Sequence, residues 1–138
     1  MRKLFPLLML VLFGCGSGAA SAVRVHAATE MKCEESQLKA TPVKPGSNSF
    51  TVEGCDQIGR YFGVCNGFGY CPQVQGQLIT PILRKQAAFD LNCGEAELTI
   101  VSLNTDTFGL RGCGRQASYI LVDCERGNCR AVQNTQTQ

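Results

Sequence analysis

The residues best equipped for chemistry in this chain are its nine cysteines. Cys33, Cys55, Cys65 and Cys71 form one set, and Cys93, Cys113, Cys124 and Cys129 form a second with nearly the same spacing. Cys15 stands apart, at the end of an apolar N-terminal run. Eight cysteines in two sets of four suit disulfides in an oxidising compartment. A four-cysteine zinc site in each set is the alternative, but the spacings are not those of zinc ribbons. No Cys-x-x-Cys pair is present, so thioredoxin-like redox work has no support. The remaining candidates are weaker. His26 is the single histidine and falls in a stretch of small residues that reads as a tether. Glu34 and Glu35 are adjacent, as on a solvated edge, and Asn104-Thr105-Asp106 reads as a turn before it reads as a calcium site. No nucleotide-binding glycine pattern occurs. The residues therefore point to no catalytic group, no cofactor and no metal, and to a protein that is not an enzyme.

The N-terminus reads as an export signal. Arg2 and Lys3 precede an apolar run from Leu4 to Phe13, broken by Pro6, and small residues follow. Ten residues are too few for a membrane-spanning helix, which needs about 20. Leu12-Phe13-Gly14-Cys15 resembles the lipobox of bacterial lipoproteins. That resemblance implies cleavage after residue 14, lipidation of the Cys15 sulfur and acylation of the new amino terminus, palmitate being the usual acyl group. Gly16, a non-Asp residue after the cysteine, implies the outer membrane of a Gram-negative envelope. The alternative is cleavage after Ala22, since Ala20-Ser21-Ala22 fits the A-x-A pattern, which would release a periplasmic or secreted protein. Residues 15–29 then form a lipidated tether. Once Arg2 and Lys3 leave with the signal, eleven Lys and Arg balance eleven Asp and Glu, which removes the basic surface a nucleic-acid partner would need.

The rest of the chain is an internal repeat. Ala28, Cys33, Glu35 and Leu38 match Ala88, Cys93, Glu95 and Leu98, sixty residues on. Phe50, Gly54, Cys55, Tyr61 and Val64 match Phe108, Gly112, Cys113, Tyr119 and Val122, and Val74-Gln75 is aligned with Val132-Gln133. The expected domains are a first cysteine repeat over 30–76, a linker helix and second repeat over 77–133, and a polar tail over 134–138.

Each copy reads as an antiparallel meander. In the second, strands are predicted over 98–103, 108–113, 119–124 and 129–133; in the first, over 37–43, 50–55, 60–65 and 71–75. Thr80-Pro81 suits N-cap and first turn of a helix, with Ile82, Leu83, Gln86, Ala87 and Phe89 on one face up to about Leu91. The matching stretch from Val23 to Met31 carries a weaker helical signal. The predicted fold is thus α+β and β-rich: a tandem pair of small disulfide-stapled antiparallel meanders, with a helix before the second.

Strand lengths favour one disulfide pairing. Cys93 lies just upstream of the strand opposite Cys113, and Cys124 faces Cys129 across a four-residue turn. Cys113 and Cys124 lie at opposite ends of a strand, more than about 20 Å apart at about 3.3 Å per residue, beyond disulfide reach. The same layout pairs Cys33 with Cys55 and Cys65 with Cys71.

Gly112-Cys113-Gly114-Arg115-Gln116-Ala117-Ser118-Tyr119, preceded by Ala87 to Cys93, resembles a repeat of uncharacterised bacterial lipoproteins whose hallmark is a GCG-R-x-A-x-Y stretch. The resemblance implies export and fold type, and no activity. The first copy departs from the motif: Asp56 stands for the second glycine, and Ile58-Gly59-Arg60 for Gln116-Ala117-Ser118. One further asymmetry concerns partners. Asn66-Gly67-Phe68-Gly69-Tyr70 carries two aromatics between cysteines, where the second copy has the polar Glu125-Arg126-Gly127-Asn128. Phe68 and Tyr70 are candidate contacts for an envelope protein or glycan; the alternative is that one of them folds back onto the sheet. The expected function is a non-enzymatic envelope lipoprotein, held to the membrane by its lipid, serving as a structural or interaction module; the alternative is a secreted binding or inhibitor domain.

Overall fold

A computed structural model describes residues 18–124 and 128–134. Helix α1 (Gly18–Met31) leads into β1 (Lys39–Pro42), β2 (Ser49–Gly54), β3 (Gln57–Val64) and β4 (Gln73–Leu78). Helix α2 (Thr80–Leu91) leads into β5 (Thr99–Ser102), β6 (Thr107–Gly112), β7 (Arg115–Val122) and β8 (Arg130–Gln133). The strands make two antiparallel sheets, ordered β1-β2-β3-β4 and β5-β6-β7-β8. The fold is α+β and β-rich, a tandem pair of stapled meanders.

Strand periodicity gives each sheet an apolar face, and a helix covers it. Phe50, Val52 and Tyr61 pack with Ala19, Val23, Ala27 and Met31 of α1. Phe108, Leu110, Tyr119 and Leu121 pack with Leu83, Ala87 and Leu91 of α2. Fully burying a Leu, Val or Phe side chain is worth about 1.5–3 kcal/mol, so each small core rests on a handful of residues.

The structure departs from the expected layout at the N-terminus. The stretch expected as a tether is, from Gly18 on, a core helix: Val23 and Ala27 are wholly buried. The first copy therefore starts at the helix, and 30–76 is too short at both ends because β4 runs to Leu78. The stretch was hard to read because its inward residues are mostly small. The repeat offset carries the missing signal: Ala19, Val23, Ala27 and Met31 stand sixty residues before Ile79, Leu83, Ala87 and Leu91, all buried.

Three smaller expectations are also corrected. Phe89 points out of α2 and is 85% exposed, because a residue two before Leu91 lies off the face that buries Leu83, Ala87 and Leu91. Thr80 does not cap α2; its hydroxyl accepts the Ile58 N–H at 2.7 Å, tying the helix start to β3. The alignment of Val74-Gln75 with Val132-Gln133 slips by one. Tyr61 pairs with Gly76 whereas Tyr119 pairs with Gln133, so Val74 corresponds to Ala131 and Gln75 to Val132.

The GCG motif has a local cause. Cys55 and Asp56 at the β2–β3 turn have φ of 48° and 58°, and Cys113 and Gly114 at the β6–β7 turn have 51° and 71°. Two left-handed residues are what a two-residue type I′ hairpin turn requires. Glycine adopts that conformation freely and Asp tolerates it, which is why Asp56 can replace the second glycine. The first glycine answers to crowding: a Cβ at Gly54 would sit 2.6 Å from the Gln37 carbonyl oxygen, and at Gly112 2.8 Å from that of Glu97.

The copies also bind each other through the second face of the first sheet. Ile58 of β3 and Ile79 belong to the second copy's core. The Thr51 hydroxyl and the Arg60 guanidinium both donate to the Thr105 carbonyl at 2.8 Å, and Arg60 forms an ion pair with Asp106. The Arg60 side chain is only 7% exposed.

Candidate functional site, the clamped aromatic loop

Four disulfides close: Cys33–Cys55, Cys65–Cys71, Cys93–Cys113 and Cys124–Cys129, the pairs that the strand lengths favour. Their sulfurs are bonded to each other, so the grouping of Cys93 and Cys113 with Glu97 is a disulfide beside a carboxylate rather than a thiolate ligand set. Disulfides of this density belong to chains folded outside the reducing cytoplasm. Among the described residues no helix is long and apolar enough to cross a membrane. Cys15 lies outside the described residues.

The loop between Cys65 and Cys71 is built as a rigid turn. The Asn66 side-chain oxygen accepts the Phe68 and Tyr70 N–H groups at 3.1 and 3.0 Å. The Asn66 N–H donates to the Tyr70 carbonyl at 2.8 Å, and the Gly69 N–H to the Asn66 carbonyl at 3.1 Å. This is the local bonding for which Asn is favoured in turns. Gly69 supplies the positive φ, 79°, that reverses the chain. Neither aromatic folds back onto the sheet: Phe68 is 98% exposed and Tyr70 67%. The opposing turn in the second copy, residues 125–127, lies outside the described residues, which leaves Asn128 as its one described residue between Cys124 and Cys129.

The loop has a neighbour that sequence reasoning missed. The start of α1 lies directly against it: a Cβ on Gly18 would be 2.2 Å from the Gly69 carbonyl oxygen. Only a glycine at 18 lets the helix lie so close to the loop. Ala19 continues the contact along the sheet, facing Gly63. The signal in the sequence was the same sixty-residue offset, which extends the repeat upstream into residues 18–31.

The other chemistry-bearing side chains meet structural partners. His26 lies on α1, not in a solvated tether; its ring meets Tyr61 edge-on with centroids 5.8 Å apart, and its Nε2 is 4.0 Å from Glu30. The second copy repeats the arrangement with Gln86, Asp90 and Tyr119. The Gln86 amide donates to both Asp90 oxygens at 3.2 Å, and the Tyr119 hydroxyl donates to Asp90 at 3.0 Å. Burial, followed by the neighbouring carboxylate, pushes both phenols above the usual tyrosine range, with Glu30 beside Tyr61 and Asp90 beside Tyr119. The Tyr61 hydroxyl differs in having no partner in hydrogen-bond geometry. Glu35 pairs with Arg24 at 3.6 Å on the surface. The Asn104 side chain accepts the Asp106 and Thr107 N–H groups at 2.8 Å, so it closes the β5–β6 turn. A groove of about 380 Å³ runs between the copies past Glu53, Ile58, Arg84 and Ser102. Its guanidinium is committed: Arg84 donates to the Glu95 and Leu98 carbonyls at 2.8 and 2.7 Å.

The arrangement thus offers a stapled scaffold with a protruding aromatic loop, Phe68 and Tyr70, beside the Gly18 end of α1. No family model, no curated protein and no solved structure matches this chain.

Proposed function

We propose that the protein is a non-enzymatic envelope lipoprotein, attached to the outer membrane through acylated Cys15, and that its duplicated domain works as a structural or interaction module. The observation that carries the reading is that residues 19 and 23 already belong to the first core. Ala19 and Val23 are 3% and 0% exposed in the first core. Cleavage after Ala22 would cut through α1 and remove Ala19 and the Gly18 contact with Gly69. Cleavage before Cys15 keeps the whole of the described helix and puts the lipid three residues ahead of Gly18. Several acyl chains at about 0.8 kcal/mol per buried CH₂ make such attachment effectively permanent. The non-enzymatic part of the reading rests on how charged groups are used: Arg60, Asp106, Arg84 and Asp90 all hold the fold together.

Mass spectrometry of the protein isolated from its native envelope tests this. The expected mature terminus is an acylated Cys15, and Cys15→Ser moves the protein from the membrane to the soluble fraction. A terminus at Val23 would overturn the reading and favour the released form.

A further inference from the structure

We propose that Phe68 and Tyr70 are a membrane-interface contact: the clamped loop seats in the headgroup region of the bilayer that holds the Cys15 lipid. This rests on the lipid-anchor reading and adds to it a defined orientation of the domain on the membrane.

The first argument is reach. Residue 15 is three residues before Gly18. At a maximum of about 3.5 Å per residue, the acylated sulfur's backbone stays within about 10 Å of Gly18, whatever path residues 15–17 take. Gly18 in turn touches Gly69, the residue between the two aromatics. A lipid chain buried at Cys15 therefore holds the loop at the bilayer surface. The second argument is chemistry. Phe68 at 98% exposure and Tyr70 at 67% are the pairing of an apolar ring with an amphipathic one that favours the membrane–water interface. The third is preorganisation. The Cys65–Cys71 disulfide and the Asn66 bonds to the Phe68 and Tyr70 N–H groups fix the loop before it meets the bilayer, so little ordering remains to oppose insertion. Phe89, a strongly exposed aromatic on α2 in the second copy, is an internal control.

The chain contains no tryptophan, so a single introduced one reports its own surroundings. The experiment uses the full acylated chain carrying Phe68→Trp, or Phe89→Trp as the control. Each is reconstituted in phosphatidylethanolamine–phosphatidylglycerol vesicles with or without brominated acyl chains. Acylation is verified by mass, and vesicle attachment by flotation. The expected result is blue-shifted Phe68→Trp emission, quenched several-fold more strongly by brominated lipid than that of Phe89→Trp. Acylated, floating protein whose Phe68→Trp emission is quenched no more than the control overturns this proposal and leaves the anchor standing. Emission that shifts only when envelope protein or peptidoglycan is added also overturns it, in favour of a macromolecular partner. A protein that lacks the acyl mass and fails to float overturns the anchor and the proposal with it.

Discussion

The two copies bury the same tyrosine under the same helix and then diverge on the sheet's opposite face and at the last turn. Tyr61 and Tyr119, Phe50 and Phe108, and Val52 and Leu110 occupy equivalent positions in the two cores. On the opposite face the first copy carries Thr51 and Arg60 where the second carries Gly109 and Ser118. Those two side chains are the ones that grip the Thr105 carbonyl and Asp106 of the other copy. The lesson is a division of labour. Shared positions build a unit of about 50–60 residues, a size at which one core is marginal. Unshared positions join the units and give only the first an aromatic loop, beside the Gly18 end of α1.

If the shared frame is truly equivalent, its staples must weigh the same in both copies. The long disulfides span 22 and 20 residues and the short ones six and five. Chain entropy then gives about 3 kcal/mol for each long bridge and about 2 kcal/mol for each short one. Replacing Cys33 and Cys55 together by Ser, or Cys93 and Cys113, should lower the urea midpoint by equal amounts, and the Cys65–Cys71 pair by less. A far larger loss in the first copy would break the comparison.

The interface is where the copies should differ most clearly. Asp106 and Asn48 hold equivalent places, since their carbonyls accept the Leu121 and Gly63 N–H groups at 2.8 and 2.9 Å. Only Asp106 uses its side chain to hold a buried arginine. Asp106→Ala leaves Arg60 without its carboxylate; removing one partner of a fully buried pair costs about 3–5 kcal/mol. The Asp106 side chain is 43% exposed and screened by solvent, which lowers the expected loss to about 2 kcal/mol. Asn48→Ala, on an exposed loop, should stay within about 0.5 kcal/mol. Chemical denaturation of both variants checks the contrast, and equal losses would mean that the Arg60 pair does not couple the copies.

Much of this organisation was legible in the sequence, for reasons that mark where legibility stops. Cysteines, hairpin glycines and the Phe and Tyr framework are large or chemically distinct, so the repeat and its pairing survive substitution around them. Helix α2 announced itself through Thr80-Pro81 and Leu83. Helix α1 did not, because Ala19 and Ala27 fill its core face with methyl groups and Gly18, Ser21 and Thr29 dilute the pattern. Contacts between the copies were invisible for a different reason: Arg60 and Asp106 are 46 residues apart, and nothing local in either segment specifies the other. The aromatic loop was found from composition alone. Its contact with α1 depended on Gly18, which in a small-residue stretch has no distinguishing mark of its own.

The finest test of equivalence lies at the tyrosines, where the same ring has different company. Tyr119 donates to Asp90 at 3.0 Å, whereas the Tyr61 hydroxyl is buried with no partner in hydrogen-bond geometry. A hydrogen bond to a charged group is worth about 1.5–3 kcal/mol, and Asp90 is only half-buried. Tyr119→Phe should therefore destabilise by about 1.5 kcal/mol. Tyr61→Phe deletes a buried hydroxyl that has no partner and should be neutral within about 0.5 kcal/mol. Alkali extends the same argument. Both phenols have folded pKa values above the ordinary 10.0. Above pH 10 the unfolded chain releases protons that the native state keeps, so stability is at its full value below pH 10 and falls as pH rises toward the folded pKa. Thermal melts from pH 8 to pH 12 should show that fall in the parent. Each single Phe variant should lose part of it and the double variant most of it. A decline that begins well below pH 10 would assign the alkaline transition to groups other than this tyrosine pair.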